Sequence, residues 1–286
     1  MFSEMEIETF IFFDIETTGL PQFEKNRTKI TELAFIAVSR KDIETCMSIP
    51  VMNKLSYVFN PERNIQSEAA CITGLSNACL KNQATFKNRI ESLNSFLEQF
   101  SKPVCLVAHN GNRFDFKILR SEYIDANKEL PKDLLCLDSM SGFRKIIDST
   151  IEITKKGVQK TPNISVLDES LLTDDEDWPE LNTSNEDWEE IDKLIESFEN
   201  ISTGSDKKTH KKDNKNHKLK DKDNKVSYKL TDLYRRFCKK DPIESHRAEV
   251  DCIMLLECVL ATKEYFLSWA DKNCKLISDI KPLVRK

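Results

Sequence analysis

The chain has 286 residues, of which 39% are hydrophobic and 32% are charged, and its formal net charge is −5 at pH 7. No apolar run approaches the roughly 20 residues of a membrane span, and the acidic N-terminus lacks a signal-peptide pattern. The nine cysteines include no CxxC pair, which argues against a disulfide framework and a zinc site. The sequence therefore predicts a reduced, soluble protein of the cytoplasm or the nucleus.

Hydrophobic periodicity predicts the elements in chain order. Apolar, β-rich runs predict strands at residues 9–15, 33–38, 54–59, 104–108 and 134–138. Apolar positions at helical spacing predict helices at residues 86–100, 114–127, 230–237 and 247–262. Because the strands come first and then alternate with helices, we expect an α/β sheet covered by helices.

One long segment, residues 150–225, differs from the rest in composition. Residues 167–199 carry a net charge of −13 and residues 206–225 carry +5, so the remainder of the chain carries +3. A segment this polar cannot bury enough apolar surface to offset its chain entropy. We therefore predict a largely disordered insertion in a single folded domain made of residues 1–149 and 226–286.

An amphipathic pattern within this insertion spans residues 185–198. Its apolar residues Trp188, Ile191, Ile195 and Phe198 would fall on one face of a helix. Two interpretations stay open: a helix that forms only transiently, and a helix that docks a protein partner.

Four acidic residues and one histidine are candidates for a metal-dependent active site. Asp14 and Glu16 lie two residues apart on a strand, so both point to one face, where they repel each other unless a cation lies between them. Asp115 opens a predicted helix, and Asp251 lies in an apolar helix, where an unpaired carboxylate is costly. His246 precedes that helix and can accept a proton near neutral pH. Each residue alone has ordinary structural uses, but the set supplies the ligands and the base for metal-assisted hydrolysis of a phosphodiester.

Four short motifs carry a resemblance to a known family: Phe12–Pro21, Ile72–Ser76, Leu106–Asp115 and His246–Asp251. They resemble the exonuclease motifs and a substrate-loop motif of the DnaQ-like, DEDDh-type 3′-to-5′ exonucleases, and in particular the animal three-prime repair exonucleases. The resemblance covers residues 8–149 and 226–284. It implies a ribonuclease-H-like fold with a five-stranded mixed sheet flanked by helices, and usually a homodimer.

The resemblance also implies a role for each site residue. Asp14, Glu16, Asp115 and Asp251 would hold two Mg²⁺ ions, with Mn²⁺ as a substitute, and His246 would be the general base. The reaction would release nucleoside 5′-monophosphates from single-stranded or frayed 3′ ends of DNA. Substrate contacts would come from Leu20 and Ile72 against the terminal bases, and from His109, Asn110 and Arg113 near the terminal phosphates.

Other interpretations stay open at this point. An RNA 3′ exonuclease would share the fold, because nothing near the site cleanly excludes a 2′-hydroxyl. A non-catalytic nucleic-acid-binding module is disfavoured by the intact set of five catalytic residues, and an interaction scaffold would depend on residues 185–198. The lysine-rich part of the insertion would guide duplex DNA, serve as a nuclear import signal, or act as an inert tether.

Overall fold

The structure is a computed structural model that describes residues 6–155, 226–242 and 246–285, with side chains described as far as residue 149 in the first range. Apart from residues 150–155, the predicted insertion lies outside the described residues. The amphipathic pattern at residues 185–198 also lies outside them, so its two interpretations stay predictions.

The described strands form one six-stranded mixed sheet. They are β1 Thr9–Thr17, β2 Ile30–Ser39, β3 Asn53–Val58, β4 Val104–Ala108, β5 Leu135–Asp138 and β6 Lys275–Leu276. Their spatial order is β3-β2-β1-β4-β5-β6. The pairs β1–β4 and β4–β5 are parallel, and the other three pairs are antiparallel. The predicted five-stranded mixed sheet is confirmed, with the two-residue β6 added at one edge.

Helices cover this sheet. Within the described residues they are α1 Arg40–Thr45, α2 Ser67–Thr73, α3 Asn77–Leu80, α4 Phe86–Glu98, α5 Asp115–Asp125, α6 Ser139–Lys155, α7 Leu230–Cys238, α8 Ala248–Ala261 and α9 Lys263–Asn273. Helix α6 continues to Lys155, so residues 150–155 of the predicted insertion are helical. No helix in the described part of the chain is both long and apolar enough to cross a membrane.

The main core lies between the sheet and helices α4 and α5. Phe13 of β1 packs against Phe35 of β2 and Phe116 of α5, with ring centroids 5.3 and 6.1 Å apart. Phe35 also stacks on Phe96 of α4, with centroids 5.9 Å apart. Full burial of such side chains contributes about 1.5–3 kcal/mol each. Most successive side chains of β1 and β2 are buried, on both faces of the sheet, which explains why these strands are mainly apolar rather than alternating.

The acids of β1 lie on the other face of the sheet. Successive side chains of a strand alternate between the two faces, so Asp14 and Glu16 point away from the side that buries Phe13. Helix α8 packs against β1 and β2, and the thiol of Cys252 in this helix donates to the carbonyl of Ala34 at 3.6 Å. The fold therefore brings the first turn of α8 to the acids of β1.

Candidate active site

Three parallel strands place their carboxyl ends at one edge of the sheet. Near this edge β1 carries Asp14 and Glu16, β4 leads into the turn before Asp115, and β5 ends at Asp138. Ligands of α/β sheets bind outside the carboxyl ends of the strands. The predicted acids of β1 and α5 thus lie where the fold class places its chemistry.

Three carboxylates form the acidic group at the centre of this edge. One oxygen from each of Asp14, Glu16 and Asp251 lies within 4.8 Å of the other two. Asp14 and Glu16 come from one face of β1, and Asp251 comes from the first turn of α8. All three side chains are half-buried. Oxygen ligands gathered in this way suit a hard divalent cation.

Burial and mutual repulsion raise the pKa values of this acidic group. Burial is the largest cause for each acid: it raises the pKa of Glu16 to about 8 and that of Asp251 to about 6. The pKa of Asp14 lies well above its ordinary value, first because of burial and then because of the charge of Asp115. A divalent cation bound here would favour the ionised carboxylates, so metal binding and proton release are coupled.

A fourth acid, Asp115, lies beside the acidic group at the start of α5. Burial raises the pKa of Asp115 to about 8, although backbone hydrogen bonds at Asp115 and Ile15 lower it. The charge of Asp115 raises the pKa of both Asp14 and Glu16. Asp115 is outside the trio whose oxygens meet within 4.8 Å, and it is close enough for its charge to act on two of the three acids, Asp14 and Glu16.

The predicted general base, His246, precedes α8 at the protein surface. Its backbone adopts a left-handed conformation with a φ of 71°, and its N–H donates to Oδ2 of Asp251 at 3.0 Å. Desolvation by neighbouring protein atoms lowers the pKa of His246. A lowered pKa keeps the imidazole neutral at neutral pH, which is the form that accepts a proton.

Two residues that the motif analysis did not single out belong to this site. Glu32 of β2 pairs with Glu16 of β1 across the antiparallel strands and is 2% exposed. Arg247 binds both carboxylate oxygens of Glu32, at 2.7 and 2.9 Å. The N–H of Ala248 donates to the same carboxylate at 3.2 Å. The signal in the sequence was a lone acid inside the apolar run of β2, because a buried carboxylate needs a partner.

The turn after β4 is held by a buried carboxylate, Asp138. It accepts backbone N–H bonds from Asn110 at 3.0 Å, Asn112 at 3.1 Å and Met140 at 3.1 Å. Asn110 adopts a left-handed φ of 62°, which asparagine tolerates better than most residues. Arg113 follows in the same turn and is half-buried. The turn that carries two predicted phosphate contacts is therefore organised by β5.

His109 is half-buried, and both nitrogens of its ring have hydrogen-bond partners within the protein. Its Nδ1 is 3.1 Å from the hydroxyl of Ser139, and its Nε2 is 2.9 Å from the carbonyl oxygen of Tyr228. A carbonyl only accepts, so Nε2 carries the proton and Nδ1 accepts from Ser139. Burial lowers the pKa of His109, which keeps the ring neutral. The phosphate contact predicted for His109 would require one of these bonds to break.

The two predicted apolar contacts, Leu20 and Ile72, are both half-buried and lie on neighbouring segments. Leu20 follows β1, and Ile72 lies in α2. The backbone N–H of Gln66, just before α2, donates to the carbonyl of Thr18 at 2.8 Å. Gly19 has a φ of 156°, a backbone conformation that favours glycine, and it lies close to the side chain of Gln66.

Comparison with known proteins decides the family. A family model described as Exonuclease matches residues 11–162. The chain belongs to the exonuclease family. This match, together with the similarity to mammalian three prime repair exonucleases, confirms the motif-based prediction of a DnaQ-like exonuclease and of the enzyme class, 3′-to-5′ exodeoxyribonuclease.

Curated relatives of this exonuclease include three prime repair exonucleases of mammals. It is 38% identical to human three prime repair exonuclease 2 over 148 residues, which span 48% of this chain and 61% of the relative. It is 27% identical to the mouse protein of the same name over 96% of this chain and 92% of the relative. Human three-prime repair exonuclease 1 is 27% identical over 97% of this chain and 71% of the relative.

Solved structures with a similar fold include exonuclease I. One exonuclease I structure superposes with a TM-score of 0.55 at 12% identity, covering 93% of this chain and 43% of that one. The zinc-bound form of the Escherichia coli enzyme, described in complex with single-stranded DNA, gives a TM-score of 0.51 at 15% identity, covering 93% of this chain and 42% of that one. At these identities the likeness shows the fold alone, and it confirms the ribonuclease-H-like class.

Proposed function

We propose that this exonuclease shortens DNA from single-stranded or frayed 3′ ends and releases nucleoside 5′-monophosphates. The observation that carries the proposal is the acidic group of Asp14, Glu16 and Asp251, with Asp115 and His246 beside it. The four acids come from three elements that meet at the carboxyl edge of the sheet, β1, α5 and α8, and His246 precedes α8. The relatives' name, three prime repair exonuclease, supports the polarity.

The donor set fits divalent cations. All four groups are carboxylates, and they are buried or half-buried. The charge of Arg247 lowers the pKa of Glu16 less than burial and the neighbouring acids raise it, so a bound cation would relieve the remaining repulsion. Asp14, Glu16, Asp115 and Asp251 would hold two Mg²⁺ ions, with Mn²⁺ as a substitute. When bound, the ions would stabilise the incoming and leaving oxygens of an in-line displacement.

In this proposal His246 accepts the proton of the attacking water. The hydrogen bond from its backbone to Asp251 at 3.0 Å ties the position of the base to the acidic group. Its exposed side chain can pass the proton on to solvent. A positioned base of this kind contributes about 10²–10⁴-fold to the rate.

The substrate strand would contact three segments beside the acidic group. Leu20 and Ile72 would pack against the terminal bases, because their half-buried apolar side chains suit the unpaired faces of bases. Asn110 and Arg113 would lie near the terminal phosphates. We assign His109 to holding the turn, because both of its ring nitrogens bind protein atoms.

The proposal extends to the assembly. Strand β3 lies at one end of the sheet, with one hydrogen-bonded neighbour among the described strands. Just before it, Met47 is 95% exposed and Val51 is 90% exposed. An open edge flanked by exposed apolar side chains supports a homodimer that pairs along β3. We place the protein in the nucleus or the cytoplasm, and keep residues 185–198 as a proposed contact for a protein partner.

A time course on 5′-labelled single-stranded DNA, run beside the same sequence in RNA, tests the proposed function. We expect a ladder that shortens from the 3′ end of DNA in Mg²⁺ and stops in chelator. The Asp14→Asn variant should be inactive, and Asp133→Asn should match the wild type, because Asp133 is an exposed acid paired with Lys102. Faster loss of RNA, or equal activity of Asp14→Asn, would contradict the proposal.

A further inference from the structure

The loop that follows β1, the strand of Asp14 and Glu16, contains a buried acid outside the acidic group. This β1–β2 loop, residues 18–29, carries Leu20 and begins two residues after Glu16. Glu24 lies within it and is 6% exposed. A buried carboxylate is costly unless it is paired and hydrogen-bonded, so the partners of Glu24 constrain the shape of the loop.

Glu24 joins three points of the chain. Its Oε2 accepts a hydrogen bond from the hydroxyl of Thr18 at 2.6 Å, and its Oε1 lies 3.1 Å from Nη2 of Arg63. The other terminal nitrogen of Arg63 donates to the carbonyl of Arg27. One carboxylate therefore links the start of the β1–β2 loop with the segment that leads into α2, and Arg63 links that segment to the end of the loop.

The segment before α2 is fixed in turn by further bonds. The side chain of Asn77 donates to the carbonyl of Arg63 at 2.7 Å and accepts the N–H of Ile65 at 2.9 Å. The N–H of Gln66 donates to the carbonyl of Thr18 at 2.8 Å. Hydrogen bonds from side chains and from backbone therefore join the β1–β2 loop to residues 63–66.

These two segments lie next to the acidic group. Thr18 is two residues beyond Glu16, which is about 7 Å at the rise of a strand. Leu20 follows on one segment, and Ile72 lies in the helix that the other segment enters. A strand whose scissile phosphate lies at the acidic group would have its terminal nucleotides beside them. A wall that is already ordered binds without a large loss of conformational entropy.

We propose that Glu24 is a positioning residue that holds the β1–β2 loop and residues 63–66 together as a preformed wall for the terminal nucleotides of DNA. Glu24 acts through Thr18 and Arg63 and does not itself touch the DNA. This inference rests on the proposed function, because the wall faces substrate only when the acidic group holds the scissile phosphate.

The test compares Glu24→Ala with Glu62→Ala, a matched loss of an exposed carboxylate one residue from Arg63. We measure kcat and KM on single-stranded DNA, and hydrolysis of bis(4-nitrophenyl) phosphate, a diester without a nucleobase. Affinity for fluorescent single-stranded DNA is measured in the Asp14→Asn background, so that the DNA stays intact. Circular dichroism checks that each variant is folded, and Glu24→Gln serves as a second, isosteric variant.

We expect Glu24→Ala to raise KM and weaken DNA affinity about tenfold while kcat stays within about twofold. Hydrolysis of the base-free diester should not change, and Glu62→Ala should match the wild type.

A folded Glu24→Ala with wild-type KM and affinity would overturn the inference, and so would an equal loss of kcat on both substrates. If Glu24→Ala does not fold, wild-type KM and affinity in Glu24→Gln would overturn it. If the wild type fails to shorten DNA, the proposed function fails, while the affinity comparison still decides the role of Glu24.

Discussion

Arg247 binds the buried carboxylate of Glu32 with both arms of its guanidinium, at 2.7 Å from Nη2 to Oε1 and 2.9 Å from Nε to Oε2. The N–H of Ala248 adds a bond of 3.2 Å to the same carboxylate. His246 precedes Arg247, and Asp251 follows in the first turn of α8. The pair therefore anchors the base and one acid of the acidic group to β2.

We expect Arg247→Met to lower kcat about tenfold and to destabilise the fold by about 2 kcal/mol, because Glu32 stays buried without its partner. Arg247→Lys should recover only part of the loss, since lysine lacks the bidentate fork. Kinetics and urea unfolding of Arg247→Met, of Glu32→Gln and of the double variant give the coupling free energy between the two residues. Additive effects in that cycle would show that the pair does not act as a unit.

Replacement of the proposed base should affect chemistry more than binding. We expect His246→Ala to lower kcat by about 10²–10⁴-fold, with DNA affinity within about threefold of the wild type. Because the pKa of His246 is lowered by desolvation, the wild-type rate should rise with pH and level off once the imidazole is neutral. The pH–rate profile of the variant should lack this limb, and an effect confined to KM would contradict a base role.

The raised pKa values of the acids predict how stability depends on pH in chelator. The pKa of Glu16 rises from 4.5 to about 8 and that of Asp115 from 3.8 to about 8 on folding, so the folded state binds more protons than the unfolded state between these values. Stability should therefore fall as pH rises from about 4 to 8. Urea unfolding across this range measures the slope. Saturating Mg²⁺ should reduce the slope, because it binds the ionised carboxylates, and an equal slope with and without Mg²⁺ would contradict the metal assignment.

The turn after β4 gives a separate prediction. Asp138→Asn keeps the shape of the side chain but replaces one of the two oxygens that accept the N–H groups of Asn110, Asn112 and Met140. We expect a loss of about 1–3 kcal/mol in unfolding free energy from the unsatisfied donor, together with a higher KM. The exposed Asp148, on α6, offers Asp148→Asn as a control for the stability measurement. A variant as stable as the wild type would show that the turn does not depend on Asp138.

Much of the fold could be predicted from local patterns. The continuous apolar runs of β1 and β4 marked strands because both are buried on two faces, and the prediction for β4 matches its bounds. Strand β6 has two exposed residues and carries no apolar signal. Helix α9 was not predicted, because Thr262 is both the C-cap of α8 and the N-cap of α9, and neither glycine nor proline marks the boundary.

The parts of the site that escaped prediction depend on contacts between distant parts of the chain. Arg247 and Glu32 are 215 positions apart, and no local pattern pairs them. The substrate contact predicted for His109 stays a prediction, but its motif gave no sign of the bond to the carbonyl of Tyr228, 119 positions away. Local sequence predicts which residue types could carry the chemistry, whereas the fold determines which of these residues contact one another.

We propose that Asp14, Glu16, Asp115 and Asp251 hold the divalent cations that the reaction needs. Calorimetric titration of Mn²⁺ into the metal-free protein, with single-stranded DNA bound, tests it most directly. We expect two ions per chain in the wild type and in Asp133→Asn, and a loss of at least one ion in Asp14→Asn, because that acid lies among all the others. Mn²⁺ binding to Asp14→Asn with wild-type stoichiometry and affinity, or no binding to the wild type, would contradict the account.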